Sequence, residues 1–225
     1  EDIIEEVGRI AGFDTINLTL PRRDFVAVRP TDFDELRSFV RNRLVRAGAN
    51  EVLTYSFVHG DLLTKVGQVP EEAYRIVNSI SPELQYYRLS LTPSSLSHIQ
   101  PNSKAGYETF ALFEANKVHR KPVGLNDENV PVELDRIALV LAGQKGDGSA
   151  YYLAKAQLEY VLDSLGVKVS YVPHTEDSVT GKPFEPKRSA HIVDAATGTK
   201  LGVIGEYKKS VQKAFKLSEY TAGFE

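Results

Sequence analysis

The order of strand-like and helix-like segments constrains the fold of this chain more than any other feature. Residues 191–194 and 201–206 have strand character on either side of a Thr197-Gly198 turn, which predicts a β-hairpin. Runs of β-branched, aromatic or alternating apolar residues predict further strands at 51–58, 74–78, 107–118, 135–142, 168–172 and 220–224. Because helices do not separate these strands regularly, the pattern predicts an α+β fold with a largely antiparallel sheet.

Two long helices carry clear start and stop signals. One is predicted over 32–47, where Thr31 and Asp34 form a capping-box pattern, and the other over 150–165, which Gly166 ends. Shorter helices are predicted over 1–12, over 60–66, from Ser94 onward and over 210–215.

The N-terminal part of the chain differs from the rest. After the first helix, Phe13 to Pro30 carries prolines and a charged run, which are typical of an extended connector. The chain has no initiator methionine, as expected for a piece of a longer protein. We predict a boundary near Pro21, so that 1–21 is the tail of a preceding small domain and 22–225 is the main domain.

Composition limits the function classes. The chain is 42% hydrophobic and 25% charged, which is ordinary for a water-soluble domain, and its formal charge of −3 argues against a DNA-binding protein or any broad electrostatic capture of nucleic acid. It has no cysteine, which excludes thiolate metal sites and cysteine nucleophiles. No segment resembles a membrane span or a signal peptide, so we expect a cytoplasmic location.

The first helix places three carboxylates on one face. Asp2, Glu5 and Glu6 stand at i, i+3 and i+4, opposite an apolar stripe. Like charges at this spacing repel, so the face requires solvent screening or a cation with oxygen ligands such as Mg²⁺. Spacing alone leaves both interpretations open, because acidic residues are common in the first turn of any helix.

Other candidate constellations lack the required spacing. The glycine-rich loop Gly143 to Ser149 lies where a phosphate-binding loop could sit, but it matches neither the P-loop nor the dinucleotide pattern. The five histidines, which show no metal-binding spacing, are His59, His98, His119, His174 and His191.

Some charged residues have two possible roles. Glu114 and Glu206 lie inside apolar strands, where they are either catalytic carboxylates or, more commonly, members of structural ion pairs. Arg37, Arg41 and Arg46 give helix 32–47 a basic face, which either contacts phosphate or is a solvated or ion-paired surface.

Several segments, in their order along the chain, resemble the beta subunit of bacterial-type phenylalanyl-tRNA synthetase. They are EDIIEEVGRIAGFDTI at 1–16, LRSFVRNRLVRAGANEVLTYSFV at 36–58, NSISPELQYYRLSLTPSSL at 78–96, ALFEANKVHR at 111–120, KRSAHI at 187–192 and GVIGEYKKSVQKAFKL at 202–217. The chain departs from the family pattern at Tyr207-Lys208-Lys209, where Leu-His-Pro is usual, and at Asn116, where Gly is favoured.

The resemblance implies a class II aminoacyl-tRNA synthetase-like fold, in which an antiparallel sheet is flanked by helices. It further implies a catalytic-like domain without catalytic residues, because the arginines that clamp ATP phosphates in active class II enzymes are not recognisable here. The alpha subunit would bind ATP and phenylalanine, and the assembled heterotetramer would charge tRNA.

The resemblance also implies site residues. The family holds a magnesium ion on the acidic helix, and Asp2, Glu5 and Glu6 match three of its ligands, whereas a fourth would precede residue 1 and leave the site incomplete. We expect Leu36, Phe39, Val40 and Leu44 to form the subunit interface, on a helical face left exposed for the alpha subunit. The alternatives are a free-standing nucleotide-binding synthetase paralogue that uses the Gly143–Ser149 loop, and an RNA-binding module that uses the three arginines of helix 32–47.

Overall fold

The computed structural model describes residues 1–144, 149–175 and 178–225. Its helices are α1 (Asp2–Ala11), α2 (Asp32–Arg46), α3 (Gly60–Lys65), α4 (Thr92–Ser97), α5 (Ile99–Lys104), α6 (Ala150–Ser164) and α7 (Lys209–Phe215). Its strands are β1 (Ala49–Glu51), β2 (Phe57–Val58), β3 (Tyr86–Tyr87), β4 (Phe110–His119), β5 (Glu133–Ala142), β6 (Val169–Pro173), β7 (Phe184–Asp194), β8 (Lys200–Tyr207) and β9 (Thr221–Phe224). Three short 3₁₀ helices cover Phe13–Thr15, Pro70–Glu72 and Lys121–Val123.

A seven-stranded sheet forms the centre of the fold. Its strand order is β1-β4-β5-β9-β8-β7-β6, and every neighbouring pair is antiparallel except β1 and β4, which run parallel. The predicted hairpin is present as β7 and β8. The prediction of an α+β fold with a largely antiparallel sheet is confirmed.

Helices cover both faces of this sheet. Helices α2 and α6 pack on one face, where Val40, Leu44 and Leu158 meet the sheet residues Phe113 and Ile204. Helices α3, α4, α5 and α7 lie on the other face, against sheet residues that alternate with the first set. The sheet is therefore buried between two helical layers, and each face belongs to a separate apolar cluster.

Local signals account for the two long helices. The Thr31 hydroxyl accepts a hydrogen bond from the backbone N–H of Asp34 at 3.2 Å, and the Asp34 side chain bonds back to Thr31, which completes the predicted capping box. Helix α6 begins after Ser149 as predicted, but that serine makes no capping hydrogen bond. Its hydroxyl lies instead 3.4 Å from Oε1 of Glu206.

Two predicted strands are wrong, one in its extent and the other altogether. The run 51–58 is split, because β1 ends at Glu51 and the chain then leaves the main sheet to form β2, which pairs with β3. The run 74–78 is not a strand; Arg75 makes one isolated bridge to Tyr86. In both cases local propensity favours a strand, but the neighbouring chain supplies hydrogen-bond partners for only part of the run.

The N-terminal segment lies outside the core. Helix α1 contains no buried residue, and residues 13–30 are exposed and contain no regular element apart from the short turn of 3₁₀ helix at Phe13–Thr15. The domain boundary near Pro21 stays a prediction. Across the described ranges, no helix is long and apolar enough to cross a membrane.

Candidate functional site

An apolar groove opens between α2 and α6. The cavity has a volume of about 340 Å³. Leu36, Val40 and Leu44 of α2 line one side, because their i, i+4, i+8 spacing places them in one row along the helix. Leu158 and Leu162 of α6 line the other side. The floor comes from sheet residues, among them Ile137, Ile192 and Phe224.

The four predicted interface residues do not share one environment. Leu36 is 46% exposed at the mouth of the groove, whereas Val40 and Leu44 are 6% and 1% exposed. The expectation that this helical face is exposed is therefore wrong for Val40 and Leu44, because α6 and the sheet cover them. Phe39 does not line the groove; it is partly buried against the core, and the guanidinium of Arg43 lies 4.6 Å from its ring centroid.

Phe33 belongs to the groove but is missing from the sequence-based set. It is 46% exposed and lines the groove, with the Arg37 guanidinium 5.8 Å from its ring centroid. Its position three residues before Leu36 puts it on the same helical face, which was the available signal. The interface role of this face stays a prediction.

The basic face of α2 is largely paired. Arg37 binds Asp34 at 2.8 Å, and Arg41 binds Glu51 at 2.7 Å. Hydrogen bonds from Thr31 hold the pKa of the Asp34 carboxyl below its usual value, with a smaller contribution from Arg37. Of the two interpretations of this face, the paired surface is the one observed for Arg37 and Arg41.

A buried ion pair lies on the opposite side of the sheet. Arg88 is fully buried, and its guanidinium donates to Oε1 of Glu114 at 3.0 Å, to the Thr54 hydroxyl at 2.7 Å and to the Lys117 carbonyl at 3.1 Å. Glu114 also accepts from the backbone N–H and the hydroxyl of Thr54 and from the Asn116 side chain. These bonds pair the buried charges and keep both groups away from solvent.

Two further carboxylates, elsewhere in the sheet, are also structural. Glu206 forms an ion pair with Arg188, so both strand carboxylates singled out in the sequence are paired, as the commoner interpretation predicts. Glu225 accepts hydrogen bonds from the backbone N–H groups of Leu91 and Thr92 and from the Thr92 hydroxyl, at the start of α4. Burial raises the pKa of the Glu225 carboxyl, and these hydrogen bonds oppose that rise.

The acidic face of α1 is present as predicted, but it stands apart from other ligands. Asp2, Glu5 and Glu6 are exposed, and Glu6 forms an ion pair with Arg9. Within the described residues no group of three or more histidine, aspartate or glutamate side chains is placed to hold a metal ion. The three carboxylates by themselves therefore do not fit a complete magnesium site.

The histidines lie in different settings. His119 is 5% exposed and packs on Tyr87, with ring centroids 4.2 Å apart, and burial lowers its pKa. His174 and His191 are buried with ring centroids 4.9 Å apart, and the backbone N–H of Thr175 donates to Nε2 of His191.

The candidate nucleotide sites gain no further support from the structure. Within the Gly143–Ser149 loop, residues 145–148 lie outside the described residues, so the structure does not describe most of this candidate loop. A second, more polar cavity of about 360 Å³ lies beside α3, and it is lined by residues that include Tyr55, His59 and Lys65. None of the described residues that line it is an arginine.

Comparison with known proteins gives consistent results. The family model described as the phenylalanyl tRNA synthetase beta chain CLM domain matches residues 16–225. A phenylalanine–tRNA ligase beta subunit from Geobacillus kaustophilus is 31% identical over 97% of this chain and 27% of the relative's length. The corresponding subunit from Geobacter sulfurreducens is 29% identical over 100% of this chain and 28% of its own length. The chain thus spans little more than a quarter of these curated relatives.

Solved structures show the same fold with little sequence identity. A pyrrolysyl tRNA synthetase from Desulfitobacterium hafniense superposes with a TM-score of 0.66 at 14% identity, covering 86% of this chain and 65% of that chain. The predicted class II synthetase-like architecture is confirmed.

Proposed function

Because this chain belongs to the phenylalanyl-tRNA synthetase beta-chain family, we propose that it is the non-catalytic core domain of a phenylalanine–tRNA ligase beta subunit. Its role is to dock on the catalytic alpha subunit and stabilise it. The assembled ligase would attach phenylalanine to tRNA at the expense of ATP, in the cytoplasm. The observation that carries the docking role is the apolar groove between α2 and α6.

The groove has the chemistry of a protein interface. Its floor and sides are apolar, and two half-exposed apolar side chains, Phe33 and Leu36, stand at its mouth. Charged residues lie at its rim, including Arg37 and Arg136. An apolar centre with a polar rim is the usual arrangement of stable interfaces, and we propose the alpha subunit as the occupant because a beta subunit implies such a partner.

The proposal of a non-catalytic domain rests on how the other face of the sheet is filled. Arg88 is fully buried and bonds through Nε and Nη1 to Glu114, Thr54 and a backbone carbonyl, while its Nη2, which is also buried, has no hydrogen-bond partner among the described residues. An arginine that clamps a phosphate must reach the ligand, and this one is enclosed. We therefore propose that the alpha subunit binds ATP and phenylalanine.

Magnesium and tRNA belong to the same proposal. Asp2, Glu5 and Glu6 supply carboxylates that suit Mg²⁺, but additional oxygen ligands must come from another segment or from the alpha subunit. We propose that tRNA contacts this subunit within the assembled ligase.

The docking role is tested by placing a charge at the mouth of the groove. In full-length beta subunit, Leu36→Glu should weaken assembly with the alpha subunit by about 30-fold or more, since a charge buried in an apolar interface costs at least about 2 kcal/mol. The measurement is the dissociation constant of the two subunits, with complex size followed by light scattering.

Val45→Glu is the matched control. Val45 lies on the same helix and is 54% exposed, close to the 46% of Leu36, but it does not line the groove. Equal loss of assembly in both variants, or no loss in Leu36→Glu, would contradict docking through the groove.

A pyrophosphate-exchange assay tests whether the beta chain is catalytic by itself. The free-standing nucleotide-binding alternative requires the chain alone to incorporate labelled pyrophosphate into ATP in the presence of phenylalanine. We expect exchange only when the alpha subunit is added, and clear exchange by the beta chain alone would defeat the non-catalytic proposal.

A further inference from the structure

Three exposed lysines lie along α7 and directly after its end. Lys209 and Lys213 stand at i and i+4 on the helix, and Lys216 follows its last residue, whereas Val211 and Phe215 on the other side of the helix are buried. We call Lys209, Lys213 and Lys216 the lysine stripe. At about 1.5 Å per residue the stripe is roughly 10 Å long.

The charges of the lysine stripe are poorly neutralised. Among the described residues, Lys213 and Lys216 have no ion-pair partner, and Lys209 approaches Glu219 only to 3.8 Å, with both side chains largely exposed. Residues 208–216 contain no aspartate or glutamate. The arginines of α2 differ, because Arg37 and Arg41 each bind a carboxylate of this chain.

The requirements of folding do not explain this arrangement. Lys209 and Lys213 are like charges at i, i+4, which repel, and Lys209 stands at the positive end of the helix dipole. Lys216 has φ of +53°, a left-handed conformation that glycine adopts at lower cost. Each of these three features lowers the stability of the free domain.

Neighbouring residues extend the positive surface. The backbone N–H of Lys208 bonds to the Pro183 carbonyl, which places the start of α7 beside Lys182. Within the described chain Lys182 has no ion-pair partner.

The lysine stripe and the docking groove lie on opposite faces of the sheet. Helix α7 packs with Val203 and Tyr207 of β8, whereas the groove-side cluster takes the alternate residue Ile204. A ligand on α7 therefore does not compete with a subunit in the groove.

We propose that the lysine stripe binds the phosphate backbone of tRNA in the assembled ligase. Over roughly 10 Å one strand of a nucleic-acid duplex presents about three phosphates, which matches the three exposed lysines of the stripe. The inference rests on the proposed function, since that function supplies the tRNA, but it concerns a different surface from the alpha-subunit groove.

The test measures tRNA binding to the alpha–beta complex as salt is varied. Replacing all three lysines with glutamine should reduce the slope of log affinity against log salt by about three, one for each lost phosphate contact, and weaken binding roughly tenfold or more at low salt. Lys213→Gln alone should reduce the slope by about one. Arg46→Gln, which removes one exposed charge from α2, is its matched control and should leave the slope unchanged.

Lys216→Gly separates folding from binding. Glycine relieves the left-handed conformation, so this variant should raise the melting temperature of the complex while lowering the salt slope by about one. A purely structural lysine would not give opposite changes in these two measurements.

Subunit assembly is measured in parallel on every variant. Normal assembly with a reduced salt slope supports the proposal, whereas failed assembly of the wild-type complex would instead remove the proposed function. An unchanged slope in the triple variant overturns the proposal. The proposal is also overturned if the triple variant binds tRNA normally but no longer binds the alpha subunit or anionic lipid vesicles.

Discussion

Removing one member of the buried ion pair between Arg88 and Glu114 should destabilise the fold much more than removing both members. Replacing Arg88 with methionine removes three hydrogen bonds and leaves the carboxylate of Glu114, whose side chain is 1% exposed, without its cation. Removing one partner of a buried pair costs about 3 to 5 kcal/mol. The remaining donors from Thr54 and Asn116 still bind Glu114, which places the expected loss near the lower end, at about 3 kcal/mol.

Removing both charges should cost much less than the sum of the single changes. In Arg88→Met/Glu114→Leu no uncompensated charge is left behind, and apolar replacements of buried ion pairs are often close to neutral. We expect the double variant to lose about 1 kcal/mol from the hydroxyl and amide groups that lose their acceptor. If each single variant loses about 3 kcal/mol, the expected coupling energy between the two sites is about 5 kcal/mol.

The assay is equilibrium urea unfolding of the wild-type chain, both single variants and the double variant. Equal m-values would show that the same surface is exposed in each unfolding transition, so that the midpoints report stability. Single-variant losses below about 1 kcal/mol, or a double-variant loss equal to their sum, would refute the argument that these charges stabilise the fold only by compensating each other.

Three further changes follow from local geometry. Burial lowers the pKa of His119, so stability should fall as pH drops below about 6.5, by up to about 1.4 kcal/mol per pH unit until the folded pKa is reached. His119→Phe should remove this dependence of stability on pH, as measured by unfolding at several pH values. If the dependence persists, another group causes it. His98→Phe, at an exposed site, is the control. Gly223→Ala should lower the free energy of unfolding in urea by about 2 kcal/mol or more, because a Cβ there would lie 2.3 Å from both the Leu139 carbonyl oxygen and the Tyr207 hydroxyl. A loss below about 0.5 kcal/mol would mean that the neighbouring strands move apart easily. Thr31→Ala should lower thermal stability by about 1 kcal/mol through loss of the α2 cap, and an unchanged melting temperature would show that the cap is dispensable.

The elements with strong local signals are the ones that the sequence predicts well. The capping box at Thr31 and the hairpin around Thr197-Gly198 are both present, since short-range hydrogen bonds and backbone preferences determine them. The strand predicted over 51–58 is wrong in extent, because its pairing depends on strands far along the chain. Propensity alone cannot show that, among the described strands, β1 has only β4 as a neighbour.

The candidate site was predictable only in part. The apolar row of α2 was evident, but α6 determines which of its members a partner could reach, and the two helices are distant in sequence. Glu114 was identified as a carboxylate in an apolar strand, whereas its partner Arg88 was not. An arginine inside the apolar run 86–91 was the available signal, since a charge in such a run requires a buried counter-charge.

The position of β9 has a consequence for how this chain folds during synthesis. It lies between β5 and β8, so β1–β4–β5 and β6–β7–β8 remain separate half-sheets until residues 221–224 have been synthesised. At about 5 to 20 residues per second, the stretch from Ala142 to Phe224 takes about 4 to 16 s to translate. During that interval the free edge of β5 is unpaired in the nascent chain. We expect chaperones to bind the chain mainly at this stage.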